Sequence, residues 1–120
     1  NEINTEIARE LLEIKHCTVD SVANGAEVIE AFASKEVNYY DAILMDVRMP
    51  ILDGLEATKM IRAMKKADSK TIPIIAMTAN AFQEDINMSL ESGMNAHLAK
   101  PIEPNILYQT LQKFIQEKQK

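Results

Sequence analysis

Hydrophobic positions along the chain change period from segment to segment. Ile3, Ile7, Leu11 and Ile14 recur at steps of four, four and three with Glu6, Arg9, Glu10 and Glu13 between them, a 3.6-residue period that predicts an amphipathic helix over about 4–15 with Asn4 as its N-cap. Residues 18–22 are short and β-branched, and the turn pair Asn24 and Gly25 follows, which predicts a strand leading into a helix over 26–34 whose stripe is Val28, Ile29 and Phe32. Ala42, Ile43, Leu44 and Met45 run without interruption and end at Asp46. A continuous run of that length suits a strand buried on both faces of a parallel sheet, here 40–46. Pro50, Asp53 and Gly54 then turn the chain into a loop. A helix is predicted over 55–66, with Ala57, Met60, Ile61 and Met64 inward and Lys59, Arg62, Lys65 and Lys66 mostly in solvent.

The alternation repeats twice more. The run 73–78, PIIAMT, reads as a buried strand that ends in the hydroxyl of Thr78; a weaker helix follows over Gln83–Ser92, with Ile86 and Leu90 inward and Gly93 as its C-terminal cap. A short strand over 96–99 ends in Lys100 and Pro101. Pro104 opens a last helix with the stripe Leu107, Leu111, Phe114 and Ile115, fading into a polar tail over 116–120. Strands alternating with helices define an α/β class, a doubly wound parallel sheet covered on both faces and joined by right-handed crossovers.

That architecture gathers chemistry dispersed along the chain. The carboxyl ends of parallel strands share one rim, where open α/β sheets bind ligands, so Asp46, Thr78 and Lys100 are expected to converge there. An acid, a hydroxyl and a cation in one pocket suit a carboxylate that takes up a phosphoryl group, with the ammonium, the hydroxyl and a metal stabilising the anionic oxygens. Each residue alone has a plainer reading: Asp46 as the end of a strand or the cap of the next helix, Thr78 as a helix cap, Lys100 as a surface lysine. Asp53 and Glu56 stand where they would supply further metal-binding oxygen, but acids at a helix start more often cap it.

Composition narrows the classes. With 120 residues, 47% of them hydrophobic, the chain has material for one compact core. A net charge of -5 argues against a nucleic-acid surface, which needs clustered Lys and Arg to neutralise phosphates, and points to protein or cation partners. One cysteine, Cys17, makes no internal disulfide and is given no role. No apolar stretch approaches a membrane span or a signal core, so the expected compartment is the reducing cytoplasm, with no direct membrane or nucleic-acid contact. A small α/β enzyme or nucleotide binder finds little support: there is no GxSxG, GxGxxG or P-loop, and only 3 Gly.

The stretches DAILMDVRMPILDG around Asp46, PIIAMTANA around Thr78 and HLAKPI around Lys100 resemble the receiver domains of bacterial two-component response regulators and hybrid histidine kinases, and the resemblance runs through 1–120. It implies a flavodoxin-like fold with strand order 2-1-3-4-5. It further implies Asp46 as phosphoacceptor, Thr78 as switch hydroxyl, Lys100 as the phosphate-contacting lysine ahead of a cis peptide at Pro101, and the backbone carbonyl of Arg48 as a magnesium ligand beside Asp46. The implied function is that of a phosphoacceptor taking a phosphoryl group from a histidine kinase or phosphotransfer protein and switching a protein-interaction face; the implied domain is not itself an enzyme, although its parent can be a hybrid histidine kinase. Two departures modify these expectations. His97 stands where the family has a switch aromatic. The opening NEIN resembles the start of the family's first helix, so the first strand and its acidic pair are expected to be missing, leaving an incomplete metal site, weak or absent Mg2+ binding, and a gap that a strand-exchanged homodimer would fill. A receiver-like interaction module that is not phosphorylated is the alternative reading.

Overall fold

The computed structural model describes residues 2–47, 52–78, 83–100 and 102–119. In chain order the elements are α1 (Glu2–Ile14), α2 (Gly25–Ser34), β1 (Ile43–Asp46), α3 (Gly54–Ala63), β2 (Ile74–Thr78), α4 (Gln83–Ser92), β3 (Ala96–Ala99) and α5 (Pro104–Gln119). The strands form one parallel sheet in the order β1-β2-β3, with Ile43 opposite Ile74 and Ile75 opposite Ala96. Successive side chains of a strand point to opposite faces, and the core divides accordingly. Met45, Ile74 and Ala76 join Phe32, Ala57, Ile61, Ile72 and Met94 beneath α2 and α3. Ile75, Met77 and Leu98 join Ala8 and Leu107 beneath α1 and α5, with Leu44 half-buried among them. This is the three-layer, doubly wound architecture expected of alternating strands and helices.

Local sequence sets the helix ends. Asn24 caps α2: its side chain accepts from the Glu27 N–H at 2.9 Å, while Glu27 accepts from the Ala23 N–H at 3.0 Å, one residue further back than in a capping box. Asp53 caps α3, accepting from the Glu56 N–H at 2.9 Å. Gly93 ends α4 at φ 112°, a left-handed conformation that glycine adopts without steric penalty.

Several expectations need correction. Residues 18–22 form no strand: among the described residues β1 pairs with β2 alone, and a β-branched sequence without a neighbour to complete a ladder stays irregular. A described tie holds it to the segment ahead of β1: the Tyr40 hydroxyl donates to Asp20 Oδ2 at 2.8 Å. The strand expected over 40–46 begins only at Ile43. Asn4 lies inside α1, not at its cap. Ile7 and Ile14 are exposed, and α1 docks through Ala8, Leu11 and Leu12; the Tyr108 hydroxyl of α5 also donates to the Leu11 carbonyl at 2.7 Å. α3 stops at Ala63, short of 66. Met60 and Leu90 face solvent. Arg62 and Lys66, expected in solvent, are instead half-buried against backbone carbonyls.

Candidate functional site

Asp46 is the last residue of β1 and Met45 before it is buried, so the strand delivers the carboxylate to the rim from a fixed base. The chain then folds back closely: the Gly54 N–H donates to the Val47 carbonyl at 3.0 Å. A Cβ on Gly54 would stand 2.4 Å from the Asp46 carbonyl oxygen and 2.9 Å from Met45 Cγ, so the return of the loop depends on glycine there. β2 carries Thr78 to the same rim, one position beyond Met77, the register partner of Asp46. The Thr78 carbonyl accepts from the Lys100 N–H at 2.8 Å, which closes the end of β3 onto β2. Lys100 Nζ then donates to Asp46 Oδ2 at 2.8 Å, with the two side chains only 11% and 13% exposed. A nearly dry acid–ammonium contact joins residues 54 positions apart.

Of the residues singled out from sequence, Asp46 and Lys100 are thus in direct contact, and Thr78 shares their rim through its backbone. His97 is exposed on β3 opposite Ala76. Arg48 and Pro101 lie outside the described residues. Cys17 is exposed and free. Asp53 is engaged as the α3 cap, and Glu56 lies 3.4 Å from Lys59, so neither serves the rim. Magnesium requires an octahedral shell of oxygens. Among the described residues no three His, Cys, Asp or Glu side chains stand together, and Asp46 is the carboxylate that β1 brings to this rim. By themselves these described side chains do not complete such a shell.

Two features escaped sequence reasoning. The Tyr40 phenol is pushed up to about 12 by burial first and by its hydrogen bond and proximity to Asp20 second. The other is a polar cluster at the opposite ends of the strands, centred on Arg62 and Asn95. The residues GMN before a short strand were its signal, but one legible only when the strand's partner is known.

A parallel sheet wound with helices on both faces, carrying an acid and an ammonium at its carboxyl rim, defines a flavodoxin-like α/β domain. The model of the response regulator receiver domain family matches residues 1–112. The chain belongs to that family, the phosphoacceptor modules of two-component phosphorelays. It is 36% identical over 123 residues to hybrid signal transduction histidine kinase I of Dictyostelium discoideum, covering 98% of this chain and 7% of that protein. It is 39% identical over 115 residues to two-component system protein A of Emericella nidulans, covering 95% of this chain and 16% of that protein. The chain therefore spans a small part of these relatives. Among solved structures, the receiver domain of a sensor histidine kinase from Pseudomonas aeruginosa PAO1, with a magnesium ion coordinated in its active-site cleft, superposes with a TM-score of 0.86 at 40% identity, covering 97% of this chain and 91% of that one. The Vibrio cholerae chemotaxis response regulator CheY4 superposes with a TM-score of 0.80 at 27% identity, covering 91% and 87%. Among the described residues no helix is long and apolar enough to cross a membrane.

Proposed function

We propose that Asp46 is the phosphoacceptor of this receiver domain, with Lys100 and Thr78 as its partners at the rim. The observation that carries the reading is the 2.8 Å contact between Lys100 Nζ and Asp46 Oδ2. A carboxylate oxygen of Asp46 attacks the phosphorus of a phosphohistidine; the new O–P bond forms as the P–N bond breaks, and the imidazole leaves with the electron pair and takes a proton. The Lys100 ammonium moves from the carboxylate to the incoming phosphoryl oxygens, whose charge it offsets in a poorly hydrated site. The Thr78 hydroxyl donates to the same oxygens after transfer, which pulls the end of β2 toward the modified residue. The donor is a histidine kinase or a phosphotransfer protein, and the domain's chemistry stops at accepting and releasing the group. Any magnesium taken up is held loosely, by Asp46, phosphoryl oxygens and water.

Asp46→Asn tests the assignment. With a phosphohistidine donor and labelled phosphate, the wild-type chain acquires alkali-labile, hydroxylamine-sensitive label and the variant none; equal label in the variant overturns it. The single carboxylate at the described rim supports a second reading, an interaction module that is not phosphorylated, which predicts no label on the wild type either. The β1 edge away from β2 supports strand exchange with a second copy of this chain. Sedimentation at micromolar concentration then gives a species heavier than 13.5 kDa, and a monomer refutes the exchange.

A further inference from the structure

β3 is a poor keeper of its own register. It has four residues, pairs with β2 alone among the described strands, and turns one large apolar side chain, Leu98, into the core. Register is specified by the alternation of buried and exposed side chains, and one leucine specifies it weakly. Yet the placement of Lys100 depends on it. A slip of one residue along β2 would displace Lys100 by about 3.3 Å and send neighbouring side chains to opposite faces, which a 2.8 Å contact with Asp46 does not tolerate.

The other end of the strand supplies the missing constraint. The Asn95 N–H donates to the Ile74 carbonyl at 2.7 Å, and the Ile74 N–H donates back to Asn95 Oδ1 at 2.8 Å. The side chain thereby takes the place of a ladder carbonyl, because the chain before Asn95 is still turning out of α4 through Gly93 at φ 112°. Arg62 holds that side chain in turn. Its Nη2 donates to the same Oδ1 at 2.9 Å, its Nε to the Gly93 carbonyl at 3.0 Å and its Nη1 to the Ser69 carbonyl at 3.0 Å. Two donors on one oxygen fix which way the amide faces. The guanidinium is half-buried, and that burial lowers the Arg62 pKa. A Cβ on Gly93 would lie 2.8 Å from Arg62 Cγ, so glycine also leaves the arginine room to pass.

We infer that Asn95, clamped by Arg62, is a positioning residue for the phosphoryl site: it sets the register of β3 on β2 and so places Lys100 on Asp46, about 16 Å away along the strand. The inference rests on the roles proposed above for Asp46 and Lys100. The clamp reaches the site only through Lys100, and this gives it a signature that a general loss of stability lacks.

The test measures the initial rate of labelling of the full chain from labelled acetyl phosphate in magnesium buffer, with folded fraction checked by circular dichroism. Asn95→Ala should slow labelling by about tenfold, the population change expected from losing one charge-assisted hydrogen bond. Asn95→Asp keeps the acceptor oxygen for Ile74 and Arg62 and should stay within about twofold of wild type. In a Lys100→Ala background, Asn95→Ala should slow labelling no further. Unchanged labelling in Asn95→Ala, or an equal slowing in both backgrounds, overturns the inference. Amide hydrogen exchange reads the register without phosphoryl transfer: Asn95→Ala should speed exchange at the Lys100 N–H, which is bonded to the Thr78 carbonyl at 2.8 Å, and unchanged exchange there also overturns it. Label persisting in Asp46→Asn, or absent from the wild type, counts against the proposed acceptor and leaves the exchange result to decide the register.

Discussion

Replacing Lys100 by Met removes one member of the ion pair at the rim and leaves the Asp46 carboxylate in nearly the same space. At 2.8 Å and an effective dielectric constant of about 20, the pair's Coulomb attraction is about 6 kcal/mol. Taking two charges out of water offsets much of that, so the pair as a whole contributes little. Removing one member is a different matter. With the side chains 11% and 13% exposed, the abandoned carboxylate regains little water, and breaking such a pair destabilises by about 3 kcal/mol, the lower end of the range for buried ions. For a domain of this size that corresponds to a fall in Tm of roughly 12 °C. Asp46→Asn keeps an acceptor for the ammonium and should lose only about 1 kcal/mol. The double variant has no buried charge left and should recover most of the loss.

Urea unfolding of the four proteins, followed by far-ultraviolet circular dichroism, closes the cycle. The expected coupling is about 2 kcal/mol, and it should survive about 1 M salt, which screens exposed pairs but not buried ones. A coupling under about 0.5 kcal/mol, or one abolished by salt, would place the pair among ordinary surface ion pairs. The reasoning that a desolvated ammonium stands ready for phosphoryl oxygens would then be refuted.

Gly54→Ala should destabilise by about 2 kcal/mol or more, because the added methyl meets the Asp46 carbonyl at 2.4 Å and backbone yields less readily than a side chain; a wild-type urea midpoint would contradict this. Tyr40 supplies a pH dependence: its folded pKa of about 12 lies above the ordinary tyrosine value of 10.0. The stability it lends is therefore fully present below pH 10, lost as pH rises toward 12, and absent from Tyr40→Phe. Asp20→Asn should bring the phenol's titration at 295 nm down toward its ordinary value, and an unmoved titration would show that Asp20 plays no part.

The sequence made the strands and the rim legible because those signals are local in character. An unbroken run such as 73–78 is buried whichever neighbour covers it, and the residue that ends each run in a parallel sheet stands on the common rim, so Asp46 and Lys100 could be brought together before their distance was known. The caps at Asp53 and Gly93 behave likewise, acting within four residues of their own positions, whereas Asn24 was read only as a turn residue and caps α2. Apart from element ends, such as Asn4 inside α1 and α3 stopping at Ala63, the misses are matters of direction or of distant partners. A stripe of Ile7, Leu11 and Ile14 establishes that α1 has an apolar side, but which residues turn inward follows from the distant partners they pack against, such as Ile75, Leu98 and Leu107, which no helical period contains. Residues 18–22 had a strand's composition, but a strand exists only as half of a pairing.

The run 59–70 shows the same dependence on distant partners. It holds Lys59, Arg62, Lys65, Lys66 and Lys70, which by composition reads as a solvated cationic face. In the fold, three of these five side chains are spent on carbonyls at helix ends. Lys66 donates to the Phe32 carbonyl in the last turn of α2 at 2.6 Å, Lys70 to the Arg62 carbonyl in the last turn of α3 at 2.8 Å, and Arg62 to the Gly93 carbonyl just past α4 at 3.0 Å. Orphan carbonyls carry the negative ends of helix dipoles and attract cations, but every residue type has the same carbonyl, so sequence cannot mark which ones await a partner. Those dipoles run along the face of the sheet, their negative ends at the Arg62 side and their positive ends toward the rim of Asp46. The cations hold three helices at one end, and the rim loops at the other are where phosphoryl charge would act on them.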